Sequence, residues 1–229
     1  MTFDLIPFLI YNVVFIIATV FSEFLHKIVK MEALFTRKVA HALTGSISAT
    51  FPFFIESHWT VAAIASIFLA LLVVSRSRGF LKSINKIAAV TYGSVLYPIA
   101  IYFSFLAYSF VQSEALYVAV ILVLALADPL AALSGTLAKR KDENIRTFGR
   151  DKKTYIGSSV FFMVAFSLIF LISSQLSDFT YMQIFVMATG GASISTFAEA
   201  WSINGLDNIL IPSSLGAFLF LFLYFSHLL

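Results

Sequence analysis

The chain has 229 residues, of which 60% are hydrophobic and 12% are charged. Water-soluble domains carry about 25% charged residues, so this composition excludes a soluble globular enzyme and predicts an integral membrane protein. The net charge of +3 does not indicate nucleic-acid binding, because membrane topology and contact with anionic lipid account for the cations. The absence of cysteine excludes a disulfide and a thiolate nucleophile.

Apolar runs long enough to cross a membrane follow one another along almost the whole chain. A helix needs about 20 residues to span the hydrocarbon core, and its backbone groups must be paired within the helix. We therefore predict an all-α, polytopic helical bundle in a single domain, 1–229, with eight spans, seven being the alternative count. The predicted spans are Leu5–Ser22, Val39–Ile55, Trp59–Ser75, Ile87–Val111, Ala115–Gly135, Tyr155–Leu176, Tyr181–Ala200 and Ile209–Leu229.

The distribution of positive charge predicts the orientation of the bundle. All 15 Lys and Arg fall in three segments, 27–38, 76–86 and 139–153, which are alternate connections in the eight-span count. The connections between them contain Glu56, Glu114 and Asp178 but no cation. The positive-inside rule then puts the basic segments, including the loop 136–154, in the cytoplasm and both termini on the other side. In a prokaryote this is the inner (cell) membrane.

Polar side chains that are rare in membranes are predicted near the cytoplasmic ends of the spans: His41, Asp128, Glu199, Asp207 and Asn208. Glu199 is equally consistent with snorkelling to the interface, and Asp207 and Asn208 with ordinary helix capping. Asp128 differs because Pro129 follows it, and proline lacks an N–H and clashes with the carbonyl four residues before it. We expect the helix to kink or restart there, with Asp128 as its N-cap, and to line a cavity.

The most basic segment directly precedes a predicted helix that begins near Thr154 to Gly157. Arg150, Lys152 and Lys153 then lie at the positive end of the helix dipole, which disfavours cations. A bound anion would make this arrangement favourable, since helix N–H groups, lysines and the Thr154 hydroxyl all bind phosphate oxygens. The segment is not a Walker A loop, because the GxxxxGK[ST] spacing is absent.

Four groups of motifs occur in order along the chain. They are Arg37-Lys38-Val39-Ala40-His41 with Gly45; Thr91-Tyr92-Gly93 with Tyr97-Pro98; Asp128-x-x-Ala131-x-x-x-Gly135 with Phe148-Gly149 and Lys152-Lys153-Thr154-x-x-Gly157; and Ala198-Glu199 through Gly205-Leu206-Asp207-Asn208 to Pro212. Over about residues 37 to 216, this order and spacing resembles the CTP-dependent lipid-alcohol kinases. That membrane family includes dolichol, phytol and farnesol kinases and the CTP-using diacylglycerol kinase.

The resemblance implies transfer of the γ-phosphate of CTP to the hydroxyl of a polyprenol, phytol or farnesol type of lipid alcohol in the bilayer, with Mg²⁺ as cofactor. The implied metal ligands are Asp128, Glu199, Asp207 and Asn208. The implied nucleotide- and phosphate-binding residues are Arg37, Lys38, Gly135, Gly149, Arg150, Lys152, Lys153, Thr154 and Gly157. Asp128, His41 and Glu199 stay open as catalytic residues in the role of general base.

Two other functions are alternatives. The kinases are related to phosphatidate cytidylyltransferases, which make CDP-lipids, but the last acidic motif there resembles a GHGG segment followed by Asp-Arg-x-Asp. The sequence INGLDNILIP at this position is more similar to the kinase branch. A non-enzymatic transporter ranks third, because transporters distribute polar groups toward the membrane midplane, whereas these are predicted to lie at one end.

Overall fold

The computed structural model describes residues 3–79, 81, 92–149, 151–177 and 179–226, and these residues confirm the all-α bundle. Its helices are α1 (Leu5–Lys27), α2 (Ala33–Ser48), α3 (His58–Arg78), α4 (Gly93–Val111), α5 (Glu114–Leu122), α6 (Asp128–Lys141), α7 (Tyr155–Ser173), α8 (Tyr181–Trp201) and α9 (Asp207–Ser226). A 3-10 turn, Phe51–Phe53, follows α2, and a π-helical segment, Val123–Ala127, joins α5 to α6. A short hairpin of β1 (Thr147–Phe148) and β2 (Lys153–Thr154) precedes α7.

Within the described ranges, six helices are long and apolar enough to cross a membrane, so the protein is membrane-embedded. They are α1, α3, α4, the continuous helix through α5 and α6, α7 and α9. With 16 residues, α2 reaches only about 24 Å at 1.5 Å per residue. With 21 residues, α8 is long enough, but its many small and polar residues lower its hydropathy. The eight-span count, its seven-span alternative and the side of the termini stay predictions.

The second predicted span is displaced along the sequence. The structure begins α2 at Ala33 rather than Val39, so Arg37 and Lys38 are part of the helix instead of the loop before it. The helix ends at Ser48, and Pro52 in the following 3-10 turn lacks the N–H needed to continue it. The predicted start of the fourth span, Ile87, lies outside the described residues, and α4 is described from Gly93.

The helix from Glu114 to Lys141 passes through the middle of the bundle. Of its most apolar window, 61% is buried inside the protein, against 28% for each of the other spanning helices. Val123, Leu124, Ala125 and Ala127, in its π segment, are fully buried. Asp128 follows directly, so this carboxylate belongs to the most enclosed of the six described spanning helices.

The predicted N-cap at Asp128 is wrong, because the helix continues through Pro129. Ala127 and Asp128 both have helical backbone angles, φ −68° and ψ −43° for the first and φ −63° and ψ −48° for the second. The π segment before them forms a wider turn, which accommodates the missing N–H and the ring of the proline. Such a turn adds a residue to the helix, so it sets the direction in which Asp128 points.

The predicted loop 136–154 is only partly a loop. Helix α6 continues to Lys141, so Lys139 and Arg140 belong to its last turn. The hairpin follows, with Thr147 paired to Thr154 across its two strands. The predicted start of α7 is confirmed: Thr154 is the N-cap, and its hydroxyl accepts a hydrogen bond from the N–H of Gly157 at 3.0 Å.

We call one end of the bundle the basic end, because the helix ends and connections that carry Lys and Arg lie there. There the guanidinium of Arg140, at the end of α6, forms a two-pronged ion pair with Glu32, just before α2. The N–H of Tyr92, just before α4, donates to the carbonyl of Asn204, between α8 and α9, at 2.9 Å. The first contact brings the start of α2 to the end of α6, and the second brings the start of α4 to the connection between α8 and α9. Which side of the membrane the basic end faces stays a prediction.

Candidate active site

A polar cavity of about 200 Å³ lies at the basic end, between α2, α6, α7, α8, α9 and the hairpin. It brings together side chains from five separate segments of the sequence. The predicted site residues that line it are Lys38, Asp128, Gly135, Lys152, Lys153, Thr154, Gly157, Glu199 and Asp207. The structure therefore gathers most of the predicted site in one place.

Asp128 forms an ion pair with Lys38 inside this cavity. The ammonium nitrogen of Lys38 lies 2.6 Å from Oδ2 of Asp128, and Asp128 is only 4% exposed. This contact joins α2 to the central helix across 90 residues of sequence. Because a buried ion left without its partner is strongly unfavourable, each of these two charges holds the other in place.

Lys153 of the hairpin interacts with two other carboxylates of the cavity, Glu199 and Asp207. Its ammonium nitrogen lies 2.6 Å from Oε1 of Glu199 and 3.6 Å from Oδ2 of Asp207, and it also donates to the hydroxyl of Ser202 at 3.0 Å. Burial lowers the pKa of Lys153, but the attraction of Asp207 and Glu199 raises it more, so the pKa lies above its ordinary value. Lys153 is therefore a charged bridge between the hairpin and the α8–α9 corner.

Among the described residues, the charges that line the cavity balance each other. They are four lysines and four carboxylates, so their formal charges cancel: Lys38, Lys139, Lys152 and Lys153 against Asp128, Asp151, Glu199 and Asp207. A cavity that attracted only anions would carry an excess of cations. This arrangement instead suits a ligand that offers both a positive and a negative partner.

Gly135 and Gly157 allow the central helix to approach the start of α7. A Cβ atom on Gly135 would lie 2.6 Å from the hydroxyl oxygen of Thr154, and one on Gly157 would lie 2.8 Å from the carbonyl oxygen of Ala131. No real Cβ atom tolerates such distances, so these two positions need glycine for close packing. Both were predicted to bind phosphate, and the structure adds this packing role.

His41 lies beside Asp128 on the inner face of α2. Its Nε2 is 3.1 Å from the carbonyl oxygen of Leu124 and 3.9 Å from Oδ2 of Asp128. In a π-helix that carbonyl accepts a hydrogen bond from the N–H of the residue five positions later. Here that residue is Pro129, which has no N–H to donate. A carbonyl only accepts, so Nε2 carries the proton in this contact. The imidazole thus donates to a carbonyl of the π segment to which Pro129 cannot donate.

The remaining predicted residues are placed elsewhere. Arg37 and Asn208 line a smaller neighbouring cavity, where the side-chain amide of Asn208 donates to the carbonyl of Gly93 at 2.6 Å. Gly149 has a left-handed φ of +69°, and a Cβ atom there would lie 3.6 Å from the carbonyl of Ala200, so this turn packs near the end of α8. Arg150 lies outside the described residues.

Sequence reasoning missed Lys139, Asp151 and Ser158, which also line the cavity. Lys139 follows Gly135 by four residues on α6, so helical spacing from Asp128 could have placed it on the same face. Its ammonium donates to the carbonyl of Lys152 and so holds the hairpin turn. The hydroxyl of Ser158 lies 3.2 Å from Oε2 of Glu199, and no sequence signal pointed to it.

The cavity fits magnesium by the chemistry of its donors. Asp128, Glu199 and Asp207 offer the hard oxygen atoms that Mg²⁺ prefers. Within the described ranges, no group of three or more His, Asp or Glu side chains is close enough to hold a metal ion. Mg²⁺ commonly takes one or two carboxylates and completes its shell with water and substrate phosphates. The residues thus fit an ion that is shared with a phosphate ligand.

Comparison with known proteins identifies no relative: no family model matches the chain, and neither a curated protein nor a solved structure matches it. The functional interpretation therefore depends on the sequence motifs and on the geometry of the polar cavity. That geometry combines buried carboxylates, ammonium groups and the start of a helix, which are the groups that bind a metal–phosphate ligand.

Proposed function

We propose that the protein is a membrane kinase that transfers the γ-phosphate of CTP to the hydroxyl of a lipid alcohol of the polyprenol, phytol or farnesol type. The observation that carries the proposal is the polar cavity, in which Asp128 of the central helix, Lys153 of the hairpin and the start of α7 lie together. The choice of CTP and of the acceptor class depends on the resemblance of the motifs to the lipid-alcohol kinases. We place the cavity at the cytoplasmic face because the described cations gather at the same end.

The paired charges of the cavity support a ligand that carries both signs. Without a ligand, Lys38 neutralises Asp128 and Lys153 neutralises Glu199. A nucleotide bound with Mg²⁺ would offer phosphate oxygens to the lysines and a cation to the carboxylates. A ligand with negative charge alone would leave buried carboxylates without partners, which costs several kcal/mol per ion.

Positioning and charge neutralisation are the main requirements of phosphoryl transfer. Lys152 is exposed and Asp128 is buried, so the triphosphate would extend from the exposed side of the cavity toward the central helix. Bound Mg²⁺ supplies further neutralisation of the β- and γ-phosphates. The first turn of α7 and the lysines supply the remaining contacts to phosphate oxygens.

The transfer itself exchanges one oxygen–phosphorus bond for another. The acceptor oxygen forms a bond to the γ-phosphorus, and the bond from that phosphorus to the bridging oxygen of the β-phosphate breaks. CDP leaves with the electron pair of the broken bond, and the hydroxyl proton passes to a base. Asp128, His41 and Glu199 are the candidates for this base, since all three lie within or beside the polar cavity.

Label transfer tests the proposal directly. Purified protein is given farnesol, phytol or phosphatidate, with CTP labelled at either the γ- or the α-phosphate. We expect the γ-label to appear in the alcohol and the α-label to stay in water-soluble nucleotide. Lipid labelled from the α-position would show cytidylyl transfer and overturn the proposal. Label in no lipid would also overturn it and favour the transporter.

A further inference from the structure

A second, smaller cavity of about 50 Å³ lies next to the polar cavity, between α2, α3, α4 and α9. Polar groups line one part of it, among them Arg37, Ser94 and Asn208. Phe68 and Leu72 of α3 line another part. Its lining is thus polar toward α2, α4 and α9 and apolar toward α3.

The two cavities share a wall that contains the proposed reaction centre. Consecutive residues on α2 line different cavities, Arg37 the small cavity and Lys38 the polar cavity. The start of α9 repeats the pattern, since Asn208 lines the small cavity and Asp207 the polar one. His41 lines the small cavity, and its Nε2 lies 3.9 Å from Asp128 in the polar cavity. His41 therefore lies between the small cavity and Asp128.

The two cavities differ in volume, so they can hold ligands of different size. The small cavity, at about 50 Å³, has a quarter of the volume of the polar cavity, at about 200 Å³, so it holds a hydroxyl and a few neighbouring atoms but no nucleotide. The apolar side of the cavity is formed by α3, whose Val73 and Val74 are about half exposed on its outer face. In a membrane protein such exposed apolar side chains lie against lipid, so the outer face of α3 borders the bilayer.

We infer that the small cavity binds the hydroxyl end of the acceptor alcohol, with its chain leaving past Phe68 and Leu72 of α3 toward the bilayer. This inference rests on the proposed function and adds where the acceptor binds. The hydroxyl would hydrogen-bond to polar groups such as Ser94 and Asn208. Transfer in line would require the hydroxyl oxygen to reach the γ-phosphorus directly, so the side chains of the shared wall would have to move aside between the two ligands.

A matched pair of substitutions tests this assignment. Ala40 lines the small cavity and not the polar cavity, whereas Ala132 lines the polar cavity and not the small one. We expect Ala40→Val to raise the KM for farnesol about tenfold and to leave the KM for CTP within about twofold, because lost binding of one ligand changes that ligand's constant. We expect Ala132→Val to do the reverse. An Ala40→Val variant with a raised KM for CTP and an unchanged KM for farnesol would overturn the inference.

A second variant keeps the test decisive if Ala40→Val folds poorly. Leu72→Ala enlarges the small cavity, so we expect it to improve turnover of an alcohol branched at the hydroxyl-bearing carbon relative to farnesol. An unchanged preference between these alcohols would overturn the assignment of the acceptor site. Intact γ-label transfer in the wild type, combined with either negative result, leaves the proposed kinase in place. Absence of transfer in the wild type removes the kinase itself.

Discussion

Asp128 combines a structural contact with the proposed chemical role. Its ion pair with Lys38 joins α2 to the central helix, and the same carboxylate faces the polar cavity as the first candidate for a metal ligand. Asparagine keeps the shape of the side chain but removes its charge. A single substitution therefore changes both stability and activity, and a second substitution is needed to separate them.

We expect Asp128→Asn to lower γ-phosphate transfer by about 100-fold or more, because it removes a charge from the reaction centre. It also leaves the ammonium of Lys38 without its partner, so the free energy of unfolding falls by about 3 kcal/mol. Transfer of the γ-label from CTP to farnesol measures the first effect, and thermal unfolding in detergent measures the second.

The double variant Lys38→Met with Asp128→Asn serves as the control. It removes both charges, so we expect most of the thermal stability to return while transfer stays low. Near-normal transfer in Asp128→Asn alone would contradict the proposed role of this carboxylate. Recovery of transfer in the double variant would show that only the unpaired lysine had caused the loss.

At the scale of the elements, the close contact of α6 with the start of α7 sets the width of the polar cavity. Gly135 on α6 faces the hydroxyl of Thr154, which caps α7. The same segment of chain carries Lys152 and Lys153 into the cavity. A displacement of α6 from Thr154 would therefore move the cap, the hairpin and both lysines together.

We expect Gly135→Ala to separate these elements, since the added Cβ would lie 2.6 Å from the Thr154 hydroxyl oxygen. Overpacking of this kind costs about 1–3 kcal/mol of stability. The displaced lysines should raise the KM for CTP by about tenfold, as small misplacements in a site do. Steady-state kinetics with CTP and farnesol, each varied in turn, measure the change.

Gly216→Ala is the matched control on α9, because a Cβ atom there would meet only Val120, at an ordinary 3.8 Å. We expect its stability and both KM values to stay close to those of the wild type. A Gly135→Ala variant that is equally unaffected would show that the contact of α6 with Thr154 does not position the site.

At the scale of the whole molecule, charge is distributed asymmetrically. The cations of the described residues lie around one end of the bundle. At this end Glu32 pairs with Arg140, and the carbonyl of Asn204 accepts from the N–H of Tyr92. At the opposite end, Asp4 accepts hydrogen bonds from the N–H of Ser57 and the hydroxyl of Thr60. The positive-inside rule therefore predicts that the basic end, with the polar cavity, faces the cytoplasm.

Single cysteines test this orientation, because the chain has none of its own. Lys141 at the basic end and Glu56 at the other are both exposed. We expect a membrane-impermeant thiol reagent to label Glu56→Cys in intact cells, and Lys141→Cys only after the membrane is opened. The reverse pattern would place the polar cavity outside, away from cellular CTP, and would contradict the proposed topology.

Local features of the site were predictable from the sequence. Thr154 at the start of α7 follows from capping preference, and the choice of Asp128 follows from the rarity of a carboxylate beside proline in an apolar run. The partners of these residues were not predictable. Lys153 was predicted to bind phosphate, but in the structure it holds Glu199 and Asp207, which lie at least 46 residues away along the chain.

The sequence by itself determined that the chain forms apolar helices in a membrane, because hydropathy and run length act within single segments. Only the tertiary structure decided which charges pair and which side of α2 faces which cavity. The physical reason is that each residue turns a helix by about 100°, so the added residue of the π segment redirects Asp128 relative to α2 and α9. The rotation of each helix about its axis is determined by packing against the other helices, and it cannot be predicted from a local sequence pattern.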